Sequence, residues 1–557
     1  MRSLVKSERT LRIVELCAAA AVITFVLWML QFSTNAICCG DFDGYYHIKW
    51  SRLLWESIRA QSFPPIFLWL PLTTLDANNY VDHHLLFHIF QIPFTWFGDL
   101  RFGAKLSATL FGSLALFSCY WLLVRYRVRF SLVWLVALLA CSVPFLFRLN
   151  MAKAPPFAII YLVIAIHLLF KNKYWPLLPL AFIFTATYDM FPLVLITVVF
   201  WTAVIGWTER RFEWRPLVWV LAGIIAGLVI NPYFSKNLWL FYQHAKMKIT
   251  ATGYPTEVGG EWYPYNSWEF LGNSVVAVVA MVVGYVAFDG GDRKRAHHSL
   301  LLLLLATTLM ILTARWKRMA EYWPPFAVMF AAFSLQPWLQ GVRSVLTKLP
   351  HEVMDELQPF LDREGEDRPV QRSESRELWQ LIAAGFVAIV LGIVLFFNLR
   401  QTSEDIGKSE PHDYYQAGAE WMRENIPSGE IIFNTDWDDF PRLFYFDHTH
   451  NYISGLDPHY LYDRDPALSK LYDRITLGEE EDPGPLIRDR FRSRYVFTDN
   501  RHDRFYGNAI ESGWFEIIYE DDDCTILRIL NEKGDSSAPE VEPEIEGEVG
   551  LEPESEP

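Results

Sequence analysis

Long runs of apolar residues, interrupted by short polar loops, fill the chain up to residue 398. A transmembrane helix needs about 20 mostly apolar residues to cross the hydrocarbon core of a bilayer. The runs therefore predict a polytopic α-helical membrane protein with about eleven transmembrane helices. The predicted spans are 14–34, 104–124, 131–147, 156–170, 175–188, 190–207, 216–234, 271–288, 299–314, 322–340 and 378–398.

The short loops between the runs are rich in Lys and Arg, as in RYRVRF, KNK, ERR and DRKR. Basic loops of this length face the cytoplasm. The N-terminus is therefore expected inside and the C-terminus outside. The fifth and sixth spans depend on TATYDMFP (185–192), because a polar kink within one longer helix would invert the topology downstream.

This order divides the chain into three parts. A transmembrane domain covers 1–398, an extracytoplasmic domain 399–533, and a disordered acidic tail rich in Pro and Glu 534–557. The outer loops of the first part, where function is expected, are 35–103, 148–155 and 235–270.

The extracytoplasmic domain has the pattern of a small mixed α/β fold. A helix is predicted at EWMREN and short strands at EIIFN, RYVFTDN, FEIIYE and CTILRIL. The formal net charge of −15 comes mainly from acidic residues in the C-terminal third. We expect a multi-pass protein of a bacterial cytoplasmic membrane with a periplasmic domain and no nucleic-acid partner. The six scattered cysteines predict neither a disulfide framework nor a zinc site.

Candidate chemistry begins at GDFDGYYHIKW (40–50), where Asp41 and Asp43 follow the first span. A carboxylate beside hydrocarbon is costly unless it pairs, binds a metal or takes part in chemistry. The alternative is that Asp43 caps the helix that follows it, which is predicted to lie along the membrane surface through Ile48, Leu53, Leu54 and Ile58.

Two further outer segments carry charge. Glu261 lies between glycines and aromatic residues in the loop 235–270. Arg318 follows Arg315 and Lys317 at the outer end of a span, where positive charge opposes the topology rule and indicates an anion. Interfacial snorkelling is the alternative for these bases.

YVDHHLLFH (80–88) supplies Asp82 and His83, which are possible metal ligands. The alternative is a helix cap by Asp82 with histidines at a wet interface. Asp189, in TATYDMFP, is a further candidate for the same cavity.

DGYYHIKW, EVGGEWYPYNSW and RMAEYWPP follow one another along the chain and resemble motifs of the oligosaccharyltransferase catalytic subunit, a family C (GT-C) membrane glycosyltransferase. On these motifs Asp43, Glu261 and Arg318 match functional positions of the family. NTDWDDFPRLFYF is similar, at Trp437 and Asp438, to the motif that opens the soluble domain of the family.

The resemblance implies an inverting transfer of a sugar or oligosaccharide from a polyprenyl phosphate or diphosphate donor to a protein, glycan or lipid acceptor. It implies that Asp43 and Glu261 are catalytic and that Arg318 binds the donor phosphate, with Arg148 or Lys153 nearby. Trp437 and Asp438 would contact the acceptor. A divalent Mg²⁺ or Mn²⁺ ion would be held by Asp43, Asp41, Asp82 and His83.

The chain departs from the family at two places. RLNMAKAP (148–155) has Arg148 and Lys153 where the family has an acidic metal-binding motif, so a fixed positive charge is an alternative to the metal. The soluble-domain motif lacks its first Trp, its Tyr and its Gly, which removes support for an Asn-sequon acceptor. Two other classes stay open: a polyprenyl-phosphate-monosaccharide transferase acting on a lipid, glycan or Ser/Thr acceptor, and a non-enzymatic transporter or scaffold.

Overall fold

The computed structural model describes residues 2–40, 42–250, 259–290, 296–339 and 369–534. Sixteen α-helices lie in the first part of this described chain. They are α1 Arg2–Gln31, α2 Asp43–Arg59, α3 Leu85–Gln91, α4 Leu100–Arg125, α5 Ser131–Leu139, α6 Val143–Leu149, α7 Pro155–Phe170, α8 Leu177–Thr187, α9 Pro192–Glu209, α10 Arg215–Val229, α11 Lys236–Thr250, α12 Ser267–Asn273, α13 Val275–Ala287, α14 His297–Arg315, α15 Trp323–Leu339 and α16 Pro369–Gly407.

Each predicted span coincides with a helix or with a pair of consecutive helices. By length and composition, five described helices can cross a membrane, or up to seven if each bent pair is one span. Other apolar helices, such as α8 and α10, are shorter. The helical, membrane-type architecture is therefore confirmed, whereas the count of about eleven spans is not.

Two of the predicted spans are sharply bent. Helices α5 and α6 meet at 80°, and α12 and α13 meet at 84°. Ser142 caps α6 by accepting a hydrogen bond from the backbone N–H of Phe145, and Pro144 occupies its first turn, both of which favour a new helix start. The bend places Arg148 at the end of α6.

TATYDMFP separates two helices. Helix α8 ends at Thr187, Tyr188 has an extended backbone, and α9 begins at Pro192. Helix α10 packs against both α8 and α9. The segment is therefore a break between two helices, which leaves Asp189 in the connection.

The C-terminal domain contains a five-stranded mixed sheet in the order β2-β1-β3-β5-β4. Strands β1, β2 and β3 are parallel, and β5 pairs antiparallel with β3 and β4. The predicted strands and helix are confirmed. The elements are α17 Gln416–Asn425, β1 Ile431–Asn434, α18 Phe440–Phe446, β2 Asn451–Tyr452, α19 His459–Arg464, α20 Pro466–Thr476, α21 Pro483–Arg490, β3 Tyr495–Asp499, α22 Asp503–Glu511, β4 Phe515–Glu520 and β5 Cys524–Ile529.

Helix α2 lies between α4 and α18, so it joins the helical domain to the sheet domain. One hydrophobic cluster contains Trp50 and Leu54 of α2 together with Phe440 and Phe444 of α18. Ile48 and Leu54, predicted to lie along the membrane surface, are buried inside the protein. Ile48 packs with Ala104 and Ala108 of α4, whereas Leu54 lies in the cluster shared with the C-terminal domain.

Several predicted features lie outside the described residues: Asp41, the DRKR loop, most of the linker between α15 and α16, and the acidic tail from residue 535. Adjacent Cys38 and Cys39 form a disulfide, which the scattered cysteine pattern did not predict.

Candidate active site

A cavity of about 570 Å³ opens between α2, α6, the segment 259–265 and the C-terminal domain. Every described residue that the sequence proposed for a site lines it, although these residues come from elements far apart in the chain. They are Asp43, Asp82, His83, Arg148, Lys153, Glu261, Arg318, Trp437 and Asp438. Asp189 lines it as well.

Asp43 is the first residue of α2, and no side-chain hydrogen bond caps this helix. Its carboxylate lies 2.7 Å from the Lys153 ammonium, which is almost fully buried in the turn before α7. Asp43 therefore pairs with a fixed cation, and the alternative of a simple helix cap is not what the structure shows.

Glu261 lies between two guanidinium groups. One carboxylate oxygen is 2.6 Å from Nη2 of Arg148, and the other accepts a hydrogen bond from Nη1 of Arg318. Burial alone would raise the pKa of Glu261, but Arg318 and Arg148 hold this pKa well below its usual range. Glu261 is therefore ionised over the whole range in which an enzyme works.

The loop that carries Glu261 is joined to the segment that carries Arg318. The backbone N–H of Lys317 donates to the carbonyl of Tyr263 at 3.0 Å. The Arg318 guanidinium also lies 5.1 Å from the centre of the Trp262 ring, within the range of a cation–π contact. These contacts fix the loop over the cavity.

Glu321 completes the charge cluster, and the sequence reasoning missed it. Its side chain is buried, and Oε1 accepts a hydrogen bond from Arg148 Nε at 2.7 Å and lies 2.5 Å from Arg148 Nη2 in an ion pair. Glu321 follows Arg318 by three residues in RMAEYWPP, which is a signal that could have identified it. Arg148 thus bridges two carboxylates that lie sixty residues apart in the chain.

A second wall of the cavity is built from histidines. His88 Nδ1 lies 2.8 Å from Oδ2 of Asp82, and His88 Nε2 lies 2.8 Å from Nδ1 of His47. Trp50 Nε1 donates to the same Asp82 carboxylate at 3.0 Å. Burial would raise the pKa of Asp82, but the His88 and Trp50 contacts lower it below its usual value. His47 and His88 were not singled out from the sequence.

Asp82 also accepts a hydrogen bond from the backbone N–H of His84, just before α3. His84 is the N-cap residue of α3 and no side-chain hydrogen bond caps this helix, so the predicted helix cap by Asp82 is not what the structure shows. Asp189 is held by His244, whose Nδ1 lies 3.2 Å from the Asp189 carboxylate. Nε2 of His244 lies 2.7 Å from the Tyr460 hydroxyl of the C-terminal domain.

The C-terminal domain closes one side of the cavity. Trp437 and Asp438 line it, at the start of the helical turn that precedes α18. Arg442 of α18 is buried, with its guanidinium 4.3 Å from the Phe42 ring and 4.7 Å from the Tyr45 ring. The domain is thus anchored beside the start of α2, where Asp43 lies.

The described residues do not fit a divalent metal ion. Mg²⁺ and Mn²⁺ prefer clustered carboxylate oxygens, and no group of three or more His, Cys, Asp or Glu side chains among the described residues is placed to hold a metal. Asp43 pairs with Lys153, and Asp82 is held by His88 and Trp50. Of the predicted ligands only Asp41 lies outside the described residues.

No family model matches this sequence, and no curated protein matches it either. Solved structures match in fold. The oligosaccharyltransferase of Archaeoglobus fulgidus in the apo form has a TM-score of 0.58 at 12% identity, over 90% of this chain and 73% of that one. ArnT from Cupriavidus metallidurans bound to undecaprenyl phosphate has a TM-score of 0.55 at 12% identity, over 94% and 98%. The mycobacterial arabinofuranosyltransferase AftD has a TM-score of 0.50 at 14% identity, over 93% of this chain and 40% of that one.

These three structures are GT-C glycosyltransferases, and the chain has their fold. The predicted resemblance to the oligosaccharyltransferase catalytic subunit is confirmed at that level: a GT-C-like membrane protein with a C-terminal sheet domain.

Proposed function

We propose that this protein is a membrane glycosyltransferase that moves a sugar or oligosaccharide from a polyprenyl phosphate or diphosphate to an acceptor on the outer face of the membrane, with inversion. One observation carries the proposal. In a GT-C fold, Asp43 and Glu261 face the same cavity as Lys153, Arg148 and Arg318. Such a transfer requires carboxylates that contact the acceptor and cations that stabilise the leaving phosphate.

The donor phosphate is assigned to Arg318, Arg148 and Lys153. Each guanidinium has five N–H donors, and the carboxylates occupy only some of them. Among the described residues, the buried Nε of Arg318 has no hydrogen-bond partner. A phosphate oxygen would satisfy this donor, and the forked geometry of a guanidinium suits phosphate. Undecaprenyl phosphate in the ArnT structure supports a ligand of this type.

The reaction proposed is an in-line displacement at the sugar C1. The acceptor attacks C1, the bond from C1 to the phosphate oxygen breaks, and the phosphate leaves with the electron pair. Fixed cations stabilise that leaving charge without reorganising. Asp43 and Glu261 position the acceptor, and Trp437 and Asp438 help to select it. No step passes through a metal ion, because the described carboxylates are paired with bases.

A polyprenyl-phosphate-monosaccharide transferase acting on a lipid, glycan or Ser/Thr acceptor is the second candidate. It is favoured by the alignment with ArnT, which covers almost all of both chains. The shortened motif around Trp437 also lacks residues that the resemblance would require for an Asn sequon.

Mass spectrometry of periplasmic glycans, glycoproteins and lipids, with and without the gene, tests the proposal. Loss of one glycan in the deletion strain, restored by the wild type and not by Asp43→Asn, would support transfer. An unchanged set of glycans, together with the accumulation of a transported solute, would point to the transporter class instead.

A further inference from the structure

Asp82, His88 and His47 form a buried hydrogen-bonded chain, and all three residues line the cavity. Asp82 and His88 are 2% and 0% exposed, and His47, at 4%, is the most exposed of the three. The links are 2.8 Å from Asp82 Oδ2 to His88 Nδ1 and 2.8 Å from His88 Nε2 to His47 Nδ1. The helix cap and wet-interface interpretations do not account for a chain of three groups.

The ionised Asp82 carboxylate determines which atom donates in each hydrogen bond of the chain. An ionised Asp82 can only accept, so Nδ1 of His88 donates to it. With a single proton on the His88 ring, held on Nδ1, His88 Nε2 accepts from Nδ1 of His47, and the lone pair of His47 is then on Nε2. No hydrogen bond within the described residues engages Nε2 of His47, and the ring lines the cavity.

His47 lies one helical turn after Asp43 on α2, so the two side chains occupy the same face of that helix. The Asp43 carboxylate lies 2.7 Å from the Lys153 ammonium. His47 therefore offers an unshared lone pair beside the residue assigned to the acceptor.

We propose that His47, positioned by His88 and Asp82, accepts the proton of an acceptor hydroxyl during sugar transfer. This inference rests on the proposed function and narrows it, since it assigns the acceptor to the class of alcohols: a Ser or Thr side chain, a glycan or a lipid hydroxyl. As the bond from the acceptor oxygen to C1 forms, the O–H proton moves to Nε2 of His47, and the phosphate leaves with the electron pair of its bond to C1.

The positive charge that forms on His47 is stabilised along the chain. His47 donates more strongly to His88 once it is protonated, and His88 in turn donates to the Asp82 carboxylate. After transfer, the proton passes from His47 to the departing phosphate or to water. An alcohol gives up its O–H proton to His47 in one step, whereas an amide nitrogen acceptor would first have to lose its conjugation.

The groups around His47 set its acid–base behaviour. Burial, then His88, Lys153, His83 and Arg318, hold the pKa of His47 well below its ordinary value. His84 also faces it, with the ring centres 5.4 Å apart. The ring is therefore neutral at pH 7 and its lone pair is available, and the rate should fall only at a pH well below the ordinary pKa of an imidazole.

The test uses the purified full-length protein in detergent, with lipid-linked sugars extracted from the source membranes as donor and the lipid and glycan fraction of the same cells as acceptor. Transfer is followed by mass spectrometry between pH 4.5 and 9 for the wild type, His47→Gln, His88→Gln and the control His167→Gln. His167 lies in α7, outside the residues that line the cavity, against Trp121 and Tyr126.

His47→Gln should lower kcat about a hundredfold, leave the acceptor KM within about threefold of wild type, and abolish the fall in rate at acid pH. Imidazole should restore activity to His47→Gly with a saturable, pH-dependent response. His88→Gln should lower kcat about tenfold and change the pH at which the rate falls on the acid side. His167→Gln should match the wild type.

The role of His47 would be overturned by a His47→Gln enzyme with wild-type kcat and an unchanged pH profile, or by a folded His47→Gly enzyme that imidazole does not rescue. Because His88→Gln retains His47, misfolding of one variant does not decide the result. A wild-type pH–rate profile in His88→Gln would contradict a role for the hydrogen-bonded chain. Absence of any sugar transfer by the wild type would instead overturn the proposed function, and the role of His47 with it.

Discussion

The Lys153 ammonium lies 2.7 Å from the Asp43 carboxylate, so the acid that follows the first span is matched by a base from a loop more than a hundred residues further along the chain. In a partly dry site such a pair places charge of both signs next to the reacting groups. The Lys153 side chain is 7% exposed and that of Asp43 is 30% exposed, which leaves the carboxylate as the more open partner.

Asp43→Asn should reduce sugar transfer by about a hundredfold or more, because loss of a carboxylate at the reacting centre removes an interaction that strengthens in the transition state. The expression level should stay near that of the wild type, and the Tm should fall less than in Glu261→Gln, because the Asp43 carboxylate is the more exposed of the two. Asp489→Asn, an exposed carboxylate on α21, is the matched control and should be fully active. Full activity of Asp43→Asn would remove this residue from the mechanism.

Glu261→Gln should lower the Tm as well as the activity, since it leaves Arg148 and Arg318 only partly compensated; breaking a buried ion pair costs about 3 kcal/mol. The folded-state pKa of Glu261 is depressed, so its stabilisation is present above about pH 4.3 and is lost as the pH falls toward the lower folded-state pKa.

The difference in Tm between the wild type and Glu261→Gln should therefore narrow when the pH is lowered from 6 to about 3. Scanning fluorimetry of both proteins in the same detergent measures it. A difference that is constant over this range would show that the two guanidinium groups do not stabilise ionised Glu261.

Lys153→Ala should weaken donor use about tenfold and increase the response to added Mg²⁺ or Mn²⁺, because a divalent ion can replace part of the missing positive charge. The wild type should keep most of its activity in a chelator. Lys470→Ala, which removes an exposed lysine of α20, is the control. Complete loss of wild-type activity on chelation, together with normal activity of Lys153→Ala, would return the search for metal ligands to Asp41, Asp82 and His83.

Cysteine labelling tests the side of the membrane on which the C-terminal domain lies. A Cys at Ser428, exposed between α17 and β1, should react with an impermeant maleimide from the outer side. A Cys at Ser299, in the first turn of α14, should react only after permeabilisation. Both are made in a Cys17→Ser background, because Cys17 is exposed. Labelling of Ser299Cys from outside would show that the proposed topology is wrong.

Trp437→Ala and Asp438→Asn should raise the acceptor KM more than the donor KM, since both residues approach the cavity from the C-terminal domain. The expected change is about tenfold, the size of one lost contact of about 1.4 kcal/mol. Trp514→Ala is the control, because the Trp514 ring contacts Arg488 and does not line the cavity. Equal changes in both KM values would argue against a role in acceptor selection.

The sequence was informative wherever the signal was local. Apolar composition located a helix at each predicted span, and short apolar runs bounded by turn residues located the strands that became β1, β3, β4 and β5. Asp43, Glu261 and Arg318 were found because each lies in a short motif with an unusual charge. The number of true crossings was not accessible in this way, because bends such as that between α5 and α6 depend on neighbouring helices.

The pairing of the site residues could not be predicted. Arg148 and Lys153 were expected at a phosphate, and the structure shows that they also hold Glu261, Glu321 and Asp43. These contacts depend on how α2, α6 and the loop before α12 approach one another. His47 and His88 were missed for the same reason, since they lie forty-one residues apart and meet only in the folded chain.

The hydrophobic cluster shared by α2 and α18 limits how the two domains can move relative to each other. Trp50, Leu54, Phe440 and Phe444 are fully buried between the two domains, as is the Arg442 side chain. Domains joined by a large apolar interface do not hinge freely, whereas small polar interfaces permit motion. We therefore expect a ligand to reach the cavity through rearrangement of loops and side chains at its mouth, with little change in the distance between Asp43 and Trp437.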